Sequence, residues 1–75
     1  MRPFDGLTPR QAEILALLAQ GLSNKEIAHQ LKISVPTVQN HVAALLAALV
    51  VKNRTGAATV YWQRLSQTLH QAQNS

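Results

Sequence analysis

The sequence predicts an all-α domain, a four-helix bundle that contains a helix-turn-helix. Three observations predict it. Capping residues stand just ahead of apolar-periodic stretches, at Thr8, Ser23 and Ser34. Apolar residues within those stretches recur at helical spacing, and Val38, Val42, Leu45, Leu46 and Leu49 share one face. No stretch alternates with the period of a strand, and the apolar residues are mostly Leu, Ala, Val and Ile, with one Phe, one Tyr and one Trp. That composition suits packed helices better than a sandwich or barrel.

Residues 1–6 read as a linker or N-terminal tail, with Pro3 and Gly6 as breakers. The folded domain is expected over residues 7–70. Thr8 caps helix 1, over about residues 9–20; Pro9 fills its first position and Gln11 reaches back to the cap. Ile14, Leu15, Leu18 and Leu22 point inward, and Gly21 is the stop. Ser23 and Glu26 form a second capping box that opens helix 2, about residues 24–31, with Ile27, Ala28 and Leu31 inside.

Only Lys32 and Ile33 separate helix 2 from Ser34, the cap of helix 3 (about residues 35–50). So tight a connection reads as a helix-turn-helix, with helix 2 as scaffold and helix 3 as recognition helix. The outer face of helix 3 carries Thr37, Gln39, Asn40, Ala43, Ala44 and Ala47. It bears no charge and no bulky apolar group, so it suits close approach to something flat and polar. Asn53 caps helix 4, which starts weakly because Gly56 is a poor helix former. Ala58, Trp62, Leu65, Leu69 and Ala72 make a stripe along helix 4, with Ala57 and Tyr61 beside it facing the core. That helix is expected to end near residue 70 and to leave a frayed tail over 71–75.

The formal charge is +4, which points to nucleic acid or another anionic surface. Charged residues are only 13% of the chain, and Arg10, Lys25, Lys32, Lys52, Arg54 and Arg64 are scattered singly, so there is no polybasic tail. With no cysteine there is no disulfide and no thiolate metal site. His29, His41 and His70 have no metal-binding spacing, and no cofactor or metal is expected. The only acids are Asp5, Glu13 and Glu26, and no nucleophile–base pair, paired carboxylates or glycine-rich phosphate loop stands out. An enzyme reading has no residues to carry it. The N-terminus is not a secretory signal, and no run approaches the roughly 20 apolar residues that span a bilayer. The expectation is a cytoplasmic protein with no membrane contact and no small-molecule ligand in this domain.

On a recognition helix, Gln39 and Asn40 can each pair bidentately with adenine, and the Ala43 methyl can sit against a thymine methyl. The alternative is that the two amides are merely solvated. Lys25, Thr37, Lys52 and Arg54 are candidates for phosphate contact, with His41 at the boundary of the helix face beside them. Arg54 can instead cap carbonyls or pair within the fold. Trp62 is either a dimer anchor, with Ala58 and Leu65, or lies on the protein's own core.

These motifs in this order resemble the LuxR-type (GerE-like) DNA-binding domain of bacterial transcription regulators. The resemblance runs from Leu7 to about Tyr61 and rests on Gly21 to Ala28, Ile33-Ser34, Thr37-Val38, His41-Val42 and Asn53-Arg54-Thr55. It implies sequence-specific binding of double-stranded DNA, with helix 3 in the major groove and helix 4 holding a homodimer. It also implies the output domain of a response regulator or a free-standing regulator, with RNA polymerase as a further partner. The chain departs from the family pattern at Gln39 and Ala48, where lysine is usual, at Val50, where a small residue is usual, and at Gly56, where an acid is usual. Helix 3 thus holds no Lys or Arg. The competing function is a helix-turn-helix adapter that binds a protein partner, favoured by that chargeless helix. The retained Lys25, Thr37, Lys52 and Arg54 favour DNA.

Overall fold

The computed structural model describes residues 4–74, with side chains described for residues 4–67. It holds four helices, α1 (Pro9–Ala19), α2 (Asn24–Leu31), α3 (Val35–Leu49) and α4 (Arg54–Asn74), and no strand among the described residues. The capping residues act as their types require. Thr8 Oγ1 accepts the Gln11 N–H at 3.1 Å, and Gln11 Oε1 accepts the Thr8 N–H at 3.0 Å. Ser23 and Glu26 repeat that exchange at 3.1 and 2.8 Å. Ser34 Oγ accepts the Thr37 N–H at 3.2 Å, and Asn53 Oδ1 accepts the Gly56 N–H at 2.9 Å.

Three helices end in the same way. After α1, Gly21 turns left-handed at φ 95°, the Gly21 N–H bonds the Leu18 carbonyl, and the Leu22 N–H bonds the Leu17 carbonyl. Lys32 (φ 59°) plays that part after α2, and Val50 (φ 57°) after α3. Helix 3 therefore stops at Leu49, one residue short of the expected end. A β-branched residue is a genuine rarity in this region of backbone space. Its side chain meets little there, because Val50 is 89% exposed. The small residue usual in the resembled family fits this backbone with less strain.

From that turn α4 departs at 60° to α3. Gly56 lies against Val51: a Cβ added there would come within 3.2 Å of the Val51 Cβ. The departure from the usual acid at this position thus accompanies a close approach of α4 to the turn. The helix continues through Asn74, past the end expected near residue 70, so the expected tail over 71–75 is helical up to Asn74. No Gly or Pro after Gly56 stops it. The Leu69, His70 and Ala72 side chains lie outside the described ones.

The core is made of Ile14, Leu15, Leu17 and Leu18 from α1, Ile27 and Ala28 from α2, Val38, Val42, Leu45 and Leu49 from α3, and Ala57 from α4. Burying one such Leu, Ile or Val contributes about 1.5–3 kcal/mol. Both α1 and α3 pack on all the other helices, whereas α2 and α4 do not pack on each other among the described residues. On α4 the deepest residue is Ala57, with Ala58, Val60 and Tyr61 partly buried against the same core. Phe4, within the expected tail, stacks on Tyr61 with ring centroids 5.1 Å apart. Among the described residues no single helix is long and apolar enough to cross a membrane.

Candidate nucleic-acid interface

The two faces of α3 are set by its 3.6-residue period. Val38, Val42, Leu45 and Leu49 are buried, and Gln39, Asn40, Ala43, Ala44, Ala47 and Ala48 are exposed on the opposite side. The helix is about 22 Å long at 1.5 Å per residue, yet its hydrogen-bonding side chains lie only between Thr37 and His41. Beyond His41 the exposed face is methyl groups alone. Gln39 and Asn40 are exposed, and among the described residues no hydrogen bond holds their amides, so each has a donor and an acceptor for an outside partner. Ala43 lies one turn further along the same exposed face.

Thr37 and His41 flank this face, each partly buried. Thr37 Oγ1 lies 2.7 Å from Ser34 Oγ. Two hydroxyls have two hydrogens between them, and the bond joining them uses one. The second remains free for an acceptor outside the protein. There is no acid in the first turn of α3, so the positive end of its dipole is not neutralised locally. Of the chain's three acids, Glu13 pairs with Arg10 at 3.0 Å, and the Glu26 carboxylate is turned onto the Ser23 N–H. The backbone hydrogen bond from Ser23, then its side chain, hold the Glu26 carboxyl below its ordinary range.

Lys25, in the first turn of α2, and Lys52, in the turn before α4, are exposed and available to an anion. Arg54, a candidate either for phosphate contact or for pairing within the fold, has its guanidinium engaged by the protein itself. Its Nη1 donates to Asn24 Oδ1 at 2.6 Å and its Nη2 donates to the Leu22 carbonyl. The guanidinium is partly buried between α4 and the start of α2, which realises the alternative of pairing within the fold. Asn24 and the Leu22 carbonyl had no signal in the sequence, because the contact spans 30 and 32 residues.

Trp62 is 49% exposed, and its indole N–H donates to the Ala19 carbonyl at the end of α1 at 3.2 Å. Tyr61 meets its ring edge-on at 5.0 Å. The indole thus joins the protein's own framework through its edge while leaving half its surface to solvent. Ala58 and Leu65, expected beside it at an interface, are both partly buried, and Ala58 packs against the core. Among the described residues no three of His, Cys, Asp and Glu come together as a metal-holding group.

A family model for bacterial regulatory proteins, the luxR family (GerE), matches residues 5–61, with the helix-turn-helix at its centre. The chain belongs to that family. Among curated luxR-type relatives, the transcriptional regulatory protein LiaR of Bacillus subtilis is 47% identical over 62 residues, which are 83% of this chain and 29% of LiaR. The nitrate/nitrite response regulator NarP of Escherichia coli matches with the same identity and coverage. The DNA-binding transcriptional activator DevR/DosR of Mycobacterium tuberculosis is 45% identical over 56 residues, 75% of this chain and 26% of that protein. The crystal structure of the response regulator ChrA, from a heme-sensing two-component system, superposes with a TM-score of 0.74 and 43% identity. The match covers 84% of this chain and 31% of ChrA. The chain therefore spans less than a third of the length of these relatives.

Proposed function

We propose that this chain is the DNA-binding unit of a luxR-family transcription regulator and inserts the N-terminal half of α3 into the major groove. Gln39, Asn40 and Ala43 read base edges, while Lys25, Thr37, His41 and Lys52 hold phosphates on either side. The observation that carries this reading is the exposed face of α3: uncharged, free of bulk, with outward amides confined to the end that a recognition helix presents to the groove. Arg54 is left out of the phosphate set because its fork is engaged with Leu22 and Asn24.

Two chains pair through α4, with the free half of the Trp62 surface, Ala58 and Leu65 in the interface, and so meet two half-sites about one helical turn apart. The unit works as the output of a response regulator, as the names of NarP and ChrA suggest, in the cytoplasm and near RNA polymerase. Binding to a mixed-sequence duplex at low salt, with heparin as competitor, tests this. The DNA reading requires micromolar or tighter affinity that falls as salt rises. An adapter that binds protein would show little affinity for either polyanion.

A further inference from the structure

Arg54 is the first residue of α4, yet its guanidinium reaches the start of α2, a helix on which α4 does not pack. It grips both neighbours of the α2 cap: the Leu22 carbonyl before Ser23 and the Asn24 side chain after it. Ser23 in turn exchanges two hydrogen bonds with Glu26, and Lys25 stands inside that box. A cation at the first position of α4, set against the first residue of α2, faces the positive ends of two helix dipoles. The two oxygen acceptors offset that cost, and the planar fork suits them as a lysine ammonium would not.

We propose that Arg54 is a positioning residue for DNA binding: it fixes the first turn of α2, and hence Lys25, relative to α4, without itself holding a phosphate. This rests on the DNA reading above. The consequence is that the helix assigned to pairing and the helix end assigned to phosphate are joined by one side chain. A shift of α4 is passed to Lys25 through the fork rather than through packed apolar surface.

The test measures affinity for a mixed-sequence duplex across a salt series, using the full chain and Arg54→Lys, Arg54→Met, Lys25→Ala and the double variant Arg54→Lys with Lys25→Ala. Circular dichroism sets a temperature at which every variant is folded. Positioning predicts that Arg54→Lys, which keeps the charge but not the fork, loses about as much affinity as Arg54→Met, roughly five- to tenfold. It also predicts that this loss falls below about twofold in the Lys25→Ala background, because coupled residues do not add. Asn24→Ala should reproduce part of the loss with no change of charge. Native affinity in Arg54→Lys, with a salt slope lower by about 0.9 per chain in Arg54→Met, would make Arg54 a phosphate ligand and overturn the proposal. Full additivity with Lys25→Ala would overturn it too, by reducing Arg54 to general stability. Failure of the native chain to bind any duplex would instead defeat the DNA reading, and the positioning role with it.

Discussion

The turn between α3 and α4 holds a valine where the backbone asks for glycine, so Val50→Gly should stabilise the domain. An L-residue in the left-handed region costs about 1–2 kcal/mol, and a β-branched one lies toward the upper end. Removing the side chain forfeits little burial, since Val50 is 89% exposed. Glycine does add freedom to the unfolded chain, which takes back about 0.4–1 kcal/mol. The net gain is about 0.5–1.5 kcal/mol, and for a domain of this size each kcal/mol moves Tm by about 4–8 °C. Thermal unfolding followed by circular dichroism should therefore show a rise of roughly 2–12 °C. Base preference should stay unchanged, because Val50 is eleven residues beyond Gln39, about 16 Å along the axis. A variant that melts at or below the native temperature would refute the strain argument.

Three further outcomes follow from the interface. With Lys25 and Lys52 as the neutralising cations of each chain, a dimer should show a salt slope of about −4, from about −0.9 per phosphate; Lys25→Ala and Lys52→Ala should each make it shallower and weaken all sequences alike, and a changed sequence preference would contradict the phosphate role. Trp62→Ala should weaken cooperative binding to paired half-sites more than binding to one half-site, whereas Trp62→Phe, which loses the bond to the Ala19 carbonyl and part of the ring but keeps an aromatic face, should cost about 1 kcal/mol of stability and retain more cooperativity than Trp62→Ala; equal losses on both sites would confine Trp62 to its own framework. The Glu26 carboxyl is depressed below its ordinary 4.5, so the folded state binds fewer protons there than the unfolded one. Its contribution is present above that value and lost as pH falls through it and the lower folded value. The stability advantage of native chain over Glu26→Gln should shrink as pH falls through 4.5 and below, and a constant difference would contradict the linkage.

The parts of the fold legible in the sequence were those set by local chemistry. Thr8 with Gln11 and Ser23 with Glu26 mark their helix starts because each pair closes within three residues. The inner faces of α1, α2 and α3 were legible because burial on a helix repeats with its period. What escaped depends on contacts that spacing does not encode. Val50 leaves α3 through a backbone sign that its residue type disfavours. On α4 the core-facing line through Ala57 and Tyr61 was legible beside the more apolar stripe, but the 60° departure of α4 from α3 was not. Arg54 meets Leu22 and Asn24 across the whole helix-turn-helix, and the Trp62 indole meets Ala19 from 43 residues away. At the interface, Gln39, Asn40 and Ala43 were readable as an outward face. For Arg54, pairing within the fold was readable as one of two roles, but its partners Leu22 and Asn24 were not.

The central claim, that the first half of α3 reads DNA, is tested most directly by selecting bound duplexes from a random pool with the native chain and with Gln39→Lys. Gln39 offers one donor and one acceptor, which matches adenine N6 and N7, whereas a lysine offers only donors, which suit guanine O6 and N7. The native chain should select half-sites with an A·T-rich centre. Gln39→Lys should move one position toward guanine by about 1–3 kcal/mol of discrimination and raise affinity for all duplexes. A G·C-rich native site, or the same site selected by both proteins, would contradict the account.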